Sequence, residues 1–304
     1  MPSVTKDLDI RILKELTSPS SFQWNFRESY SAIAKRLEAD AETVRVTLKR
    51  SLELGLIQDW RLILNPAILG GKLAGMQLVV DDEERKPQVI SQVRLVDGVI
   101  EILDFHGTSL RVVLYFQDEF DLERKMKLLK SICGHEGEVH HWVSNLPSCK
   151  MRLKEVDWEI LSHVLHDPRR DASEVAKESG VSSRTVNRRL RRMTDEKVAY
   201  LIPVRNVKKS KGVICSFLVT CSERGRDAIR EFLRSRPTRV DFIFDSAKEL
   251  FIATLIANNP SEAHELHDQL KALEGISRVE MGLLNDFIFV DDWLDRAVAR
   301  KIAA

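Results

Sequence analysis

Leu8, Ile12, Leu13 and Leu16 recur at helical spacing, and the rhythm returns at Ile33, Ala34 and Leu37 and at Val44, Leu48, Ser51 and Leu52. Polar residues separate these stripes, which predicts three amphipathic helices. Asp40, two residues before Glu42, sits where an N-cap belongs, because its carboxylate can accept from the open amides of the first turn. From Gly55 to Ile63 the pattern changes to a short β stretch. Beyond it the apolar positions predict strand 73–80, helix 84–96, strands 99–105 and 109–117, helix 120–132 and strand 137–144. The order βαββαβ gives a four-stranded antiparallel sheet with two helices on one face. Leu110–Phe116 is apolar on both faces, so the face away from the helices needs a cover, most simply a second sheet.

The pattern then repeats. Lys6–Leu13 returns as Lys154–Leu161 at an offset of 148, and Ala34, Thr43 and Val44 return as Ala176, Thr185 and Val186 at an offset of 142. The first copy therefore carries six additional residues between its first two helices. Such a unit is too long for a solenoid repeat and reads as a tandem two-part module. In the second copy Ser182 takes the N-cap position and Val186, Leu190 and Met193 form the stripe, followed by a β stretch over Lys197–Ile202. Strands 213–221, 239–245, 249–257 and 277–285 alternate with helices 224–235 and 260–273, and a closing helix covers 290–304. Three helices and a β wing make a winged helix-turn-helix. The expected fold is α+β: winged helix-turn-helix domains at 1–66 and 151–207 alternate with βαββαβ ferredoxin-like domains at 67–150 and 208–304. The two sheets are expected to pack as an intrachain pseudo-dimer.

Composition narrows the setting. Net charge is +1, so any basic surface is local. The four cysteines form no Cys-x-x-Cys pair, the start of the chain lacks a hydrophobic signal region, and no apolar run approaches the roughly 20 residues of a membrane span. These features predict a cytoplasmic protein with no membrane partner. The local basic surface is the third helix of the second copy. Between Ser182 and Lys197, Arg184, Arg188, Arg189, Arg191, Arg192 and Lys197 outnumber Asp195 and Glu196 by four. Arg184, Arg188 and Arg191 fall opposite the apolar stripe, where planar guanidinium forks suit guanine edges and phosphates, and Asn187 has the donor–acceptor pair that reads adenine. Ser183, Arg184, Thr185, Asn187 and Arg188 are therefore expected in the groove of double-stranded DNA, with Arg191 and Arg192 on its backbone. A solvated charged helix face is the competing reading. In the first copy, Arg45, Lys49 and Arg50 are balanced by Asp40, Glu42 and Glu53. Thr43, Arg45 and Lys49 are expected to act as a subordinate reader, with a scaffold role as the alternative.

The string Asp157-x-x-Ile160-Leu161, Ala172-Ser173-Glu174-Val175-Ala176 and Gly180-Val181-Ser182-x-x-Thr185-Val186-x-x-Arg189-Leu190-x-x-Met193 resembles the leucine-responsive regulator/AsnC family of transcription factors. The resemblance covers nearly the whole chain as two tandem copies, an arrangement associated with archaeal members. It implies a sequence-specific transcription regulator responsive to an amino acid or other small metabolite. It also implies face-to-face packing of the sensing sheets and a homo-oligomer of pseudo-dimeric chains. Family effectors bind near the turn joining the second and third strands of the sensing domain. Here that turn is Asp104–Ser109, with a glycine but no following aspartate, and Asp245–Glu249 lacks the glycine. His106, Thr108 and Ser109 are the candidate effector contacts; a plain polar hairpin is the alternative.

Cys133, His135, His140, His141 and Cys149 crowd together, but their spacing fits no usual zinc pattern, so no metal and no cofactor are expected. The insertion Pro19–Ser29 carries Phe22, Trp24 and Phe26 and reads as a hydrophobic plug sealing the first reader, with a contact to another protomer as the alternative. Sirohaem decarboxylases share the two-part architecture and resemble a His-Asn-Tyr-x-Arg pattern near the second sensing strand. Val99–Phe105 and Val240–Phe244 lack it, so the chain is expected not to be an enzyme. A sirohaem decarboxylase-like enzyme and a non-specific architectural DNA-binding protein remain the alternatives.

Overall fold

The computed structural model describes residues 12, 23–144, 146–209, 212–236, 240–245 and 250–303. The predicted first helix lies outside them except for Ile12, which is buried. The first copy continues with α1 (Tyr30–Leu37) and α2 (Ala41–Glu53), then β1 (Ile57–Leu64). Its βαββαβ part comprises β2 (Lys72–Val79), α3 (Lys86–Val93), β3 (Val99–Phe105), β4 (Ser109–Phe116), α4 (Glu119–Cys133) and β5 (His141–Val143). The second copy has α5 (Glu155–Val164), α6 (Ala172–Glu178), α7 (Ser183–Asp195) and β6 (Ala199–Arg205). Then come β7 (Val213–Cys221), α8 (Glu223–Arg234), β8 (Val240–Asp245), β9 (Leu250–Ala257), α9 (Pro260–Lys271) and β10 (Ile276–Phe289), and α10 (Asp291–Ile302) closes the chain. The predicted strand 137–144 shrinks to three residues.

Two compact units emerge, and they do not follow chain order. One holds Ser29–Ile57 with Arg205–Asp286; the other holds Gln23–Glu28, Gln58–Val204 and Phe287–Ala304. The second unit thus contains one ferredoxin-like domain, the helices α5, α6 and α7 of the second copy and the closing helix. Its sheet runs β5-β2-β4-β3, and the corresponding sheet of the other unit runs β10-β7-β9-β8. The strand pairs within each of these two sheets are antiparallel, with Met76 opposite Val112 and Phe217 opposite Ala253. A register shift after Val99 recurs after Val240, so the copies share even their irregularities.

Each sheet buries its helix-side face in its own core. Met76, Leu78, Val112, Leu114 and Phe116 pack with Val89, Val93, Leu122 and Leu129 in one unit. Phe217, Val219, Phe251 and Leu255 pack with Ile229, Leu266 and Leu270 in the other. Each such side chain taken fully out of water contributes about 1.5–3 kcal/mol, before the entropy of ordering it.

One reading of the sequence needs correction. The β stretches are not separate wings: β1 and β6 pair with each other as a two-stranded sheet. A lone strand cannot satisfy its backbone groups, and its counterpart from the other copy does so. Within the aromatic insertion, Gln23–Glu28 belongs to the unit that contains the second helix-turn-helix. Gln23 bridges Leu201, Trp24 meets the Tyr200 ring edge-on at 5.2 Å, and Phe26 is fully buried. Two arginines clasp the segment: Arg27 donates to the Arg170 carbonyl at 3.0 Å, and Arg169 donates to the Glu28 carbonyl at 3.0 Å.

Candidate nucleic-acid interface

The outer face of α7 is built by a short chain of local decisions. Asp171 caps α6 by accepting from the Ser173 amide at 2.7 Å. Gly180 then turns the backbone with φ +65°, a left-handed conformation that glycine adopts without a Cβ clash. Ser182 starts α7, its hydroxyl accepting from the Thr185 amide at 3.2 Å. Val186, Leu190 and Met193 are buried, which fixes the helix's rotation about its axis. The opposite face is thereby turned outward: Arg184, Asn187, Arg188, Arg191 and Arg192 are all exposed. These arginines make no ion pair among the described residues. Ser183 and Thr185 are half-buried at the helix start, with the Thr185 hydroxyl held 3.1 Å from that of Ser182.

Arg189 behaves differently from its neighbours. Its Nη1 donates to the Asp157 carboxylate at 2.7 Å, and Asp157 is only 1% exposed. The other Asp157 oxygen accepts from the Lys154 amide at 2.9 Å and caps α5. Arg189 is thus a strut between α5 and α7 rather than part of the outward surface. The signal was present in the sequence: Arg189 lies three residues after Val186 and four before Met193, on the buried stripe.

The corresponding helix of the first copy, α2, is arranged otherwise. Asp40 caps it, accepting from the Thr43 amide at 2.7 Å and from the Thr43 hydroxyl. Arg45 is tied to Glu42, its Nε donating at 2.7 Å, and Lys49 lies 3.5 Å from Glu53. The candidate contacts Thr43, Arg45 and Lys49 are therefore all engaged within their own helix. Thr47 is buried in place of Leu52, which is 40% exposed.

The candidate effector turn lies between β3 and β4. His106 is exposed, and Thr108 and Ser109 are half-buried. Lys86, at the start of α3, is buried beneath the turn; its ammonium donates to the Gly107 carbonyl at 2.6 Å and to that of Phe105, and pairs with Asp104. The second copy holds its equivalent acid, Asp245, with Arg226 and with Arg230 at 2.6 Å; the rest of that turn lies outside the described residues. Nearby on β3, Glu101 makes no hydrogen bond or ion pair among the described residues. Burial pushes its carboxyl up to about 7. Burial, and then the charge of Glu101, raise the Tyr200 phenol well above its ordinary value.

Among the described residues no cluster of histidine, cysteine and carboxylate side chains could hold a metal ion. His135 is spent on local structure, its Nδ1 accepting from the Val79 amide at 2.9 Å. No helix among them is long and apolar enough to cross a membrane.

A helix-turn-helix with a shared β wing, joined to a ferredoxin-like domain and present twice, is the class of architecture the chain displays. Residues 153–198, from just before α5 to the start of β6, match a family model described as winged helix-turn-helix DNA-binding. No curated protein matches the chain. Among solved structures, the siroheme decarboxylase NirDL superposes with a TM-score of 0.58 at 15% identity, covering 98% of this chain and 99% of that one. NirDL in co-complex with an iron-uroporphyrin III analogue gives the same score at 16% identity, with 98% and 99% covered. Escherichia coli AsnC aligns with 50% of this chain and 99% of its own, at 17% identity and a TM-score of 0.34. The full-length likeness shows the tandem fold.

Proposed function

We propose that the protein is a sequence-specific transcription regulator that reads double-stranded DNA through α7. The observation that carries this reading is the outward set Arg184, Asn187, Arg188, Arg191 and Arg192, exposed on a helix whose other face is locked into its domain, its arginines making no ion pair among the described residues. The match of residues 153–198 to a DNA-binding family model supports it. N-terminal residues of such a helix reach base edges while later ones reach phosphates, which divides Ser183, Arg184, Thr185, Asn187 and Arg188 from Arg191 and Arg192.

The first copy takes the lesser part. At the offset of 142, Arg184 corresponds to Glu42 and Arg188 to Val46, so a carboxylate stands where the first guanidinium would meet DNA. Thr43, Arg45 and Lys49 then serve as secondary contacts, freed only if their local pairs exchange for phosphate. An effector would meet His106, Thr108 and Ser109 on the outer side of their turn, since Lys86 fills the inner side. We take 1–66, 67–150, 151–207 and 208–304 as the duplicated modules and the paired sheets as a pseudo-dimer, and we assign no catalytic step.

The deciding experiment is a gel-shift titration with an operator recovered from genome-wide occupancy. Arg184→Ala with Arg188→Ala should abolish specific binding while the circular dichroism spectrum stays unchanged; undiminished operator affinity refutes the assignment. Equal affinity for all duplexes at fixed salt would instead point to an architectural binder. The fold shared with NirDL motivates a second reading, a sirohaem decarboxylase. The absence of the His-Asn-Tyr-x-Arg pattern from β3 and β8 weighs against it, and conversion of sirohaem by the purified protein would establish it.

A further inference from the structure

The duplication supplies an internal control, because both ferredoxin-like domains keep one fold at a constant offset of 141, from Lys72 and Val213 at the first strand to Glu119 and Pro260 at the second helix. The helical face of the first domain carries three of the most exposed apolar side chains among the described residues: Leu95 at 80%, Phe120 at 77% and Leu128 at 48%. At the same places the second domain has Arg236, Ser261 and Gln269. Arg236 donates to the Gln269 side chain at 2.9 Å, so these two positions touch, and Leu95 and Leu128 occupy the matching neighbours. The fold therefore does not require apolar residues here, and water does not favour them. Side chains of this kind, grouped on one face, mark an interaction surface.

The charges on α4 indicate the occupant. On its exposed side the acids Glu119 and Glu123 lie in the first half and the bases Arg124 and Lys127 in the second, while Asp121 and the buried Lys125 are paired with each other at 2.9 Å. Two copies laid antiparallel bring each acidic half against the other's basic half, whereas a parallel pair opposes like with like. The macrodipoles also oppose favourably in the antiparallel arrangement. Placing each Phe120 over the other copy's Leu128 puts the two-fold axis near Arg124, whose charge Asp121 already meets at 2.9 Å. Lys127 then lies level with position 121 of the partner helix, two residues from its Glu123 and on the same flank. Glu123 and Lys127 make no ion pair within the chain among the described residues. The second domain's α9 has no such segregation, with acids at Glu262, Glu265 and Asp268 along its length.

We infer that α4, with Leu95 beside it, is an isologous self-association surface, occupied by α4 of a second copy of this chain in antiparallel orientation. This inference does not depend on DNA reading.

Sedimentation of the full chain across a concentration series tests it. The wild-type chain should show a reversible monomer–dimer equilibrium. Phe120→Ser with Leu128→Gln installs the second domain's residues at exposed positions and should leave the melting temperature unchanged, while weakening the dimer roughly tenfold or more. Glu123→Lys and Lys127→Glu should each weaken it, and the two together should restore it, because the swap re-creates the pairing across the two-fold axis. Arg124→Cys should cross-link to itself under mild oxidation, fixing the register. A wild-type chain that remains monomeric at about 100 μM overturns the proposal. So does a dimer indifferent to the Phe120/Leu128 exchange. A charge swap that fails to restore association likewise overturns the antiparallel arrangement.

Discussion

Two adjacent arginines on one helix should fail in opposite ways. Arg188 points outward with no ion pair among the described residues, while Arg189 spans to an Asp157 that is 1% exposed. Replacing Arg189 by methionine keeps most of the side chain's length and removes its charge. It leaves the Asp157 carboxylate buried, with only the Lys154 amide to satisfy one oxygen. Breaking one side of a buried pair costs about 3–5 kcal/mol. The Nε of Arg189 is itself buried without a partner, which places the expected loss at the lower end, about 3 kcal/mol. Asp157→Asn in the Arg189→Met background removes the stranded charge and should recover more than half of it. Arg188→Met should leave stability within about 0.5 kcal/mol, as exposed substitutions do. It should instead weaken specific DNA binding by about 1–3 kcal/mol, roughly 5- to 150-fold in Kd. Urea denaturation and fluorescence-anisotropy titration, run on the same preparations, separate the two signatures. If Arg189→Met unfolds within 1 kcal/mol of wild type, or Arg188→Met costs as much stability as Arg189→Met, the division into strut and reader is wrong.

Three further outcomes follow from the same geometry. The carboxyl of Glu101, at about 7 in the folded protein against an ordinary 4.5, holds its proton more tightly folded than unfolded, so stability falls as pH rises from 4.5 to 7 and levels off above. Glu101→Gln should flatten that fall and stabilise the chain at pH 8 by up to about 3 kcal/mol, read from urea midpoints at pH 5 and pH 8; an unchanged pH profile removes Glu101 as its cause. Specific DNA affinity should fall on a log–log salt plot by about 0.9 per phosphate engaged, and Arg191→Ala with Arg192→Ala should reduce the slope by about 2; an unaltered slope takes both residues off the backbone. Burial pushes the thiols of Cys133 and Cys215 up to about 11 and about 12, so in the native protein at pH 8 an aromatic disulfide reagent should label Cys149 and spare both; rapid labelling of either shows its strand or helix opening.

The elements were legible in the sequence wherever one chain segment decides its own structure. Val99–Phe105 and Val213–Cys221 begin and end where their apolar runs predict, and Asp40 and Ser182 cap the helices they precede. What was not legible depends on contacts between distant segments. No local pattern shows that β1 needs β6, or that Trp24 meets the ring of Tyr200. Composition misled in one specific way: counting basic residues between Ser182 and Lys197 weighed Arg189 equally with Arg188. Helical phase, with Val186 and Met193 on either side, would have separated them. The Lys86 ammonium under the turn between β3 and β4 was missed for the opposite reason, because a lysine at a helix start is ordinarily solvent-exposed and this one is 6% exposed.

Duplication turns one sequence into its own comparison. Where both copies must fold alike they agree in chemistry: Asp104 and Asp245 end equivalent strands, and each is held by a cation from the helix before it, although that cation is Lys86 in one copy and Arg226 with Arg230 in the other. The pair is kept while its partner residue changes, as expected when the constraint is charge at a strand end rather than recognition of a ligand. Where the copies differ on exposed faces, folding is not the constraint, since each copy shows the other's residue to be compatible with the same backbone. Glu42 against Arg184, Val46 against Arg188, Phe120 against Ser261 and Leu128 against Gln269 are such places. The first pairs support the proposed DNA reading by the second helix-turn-helix, and the last support the proposed self-association of the first ferredoxin-like domain. Both surfaces lie in the compact unit that contains Gln58–Val204. If α7 is the DNA reader proposed above, dimerisation through α4 would give a chain with one strong reader a second, so that a protein carrying Glu42 where the other copy has Arg184 would still present two.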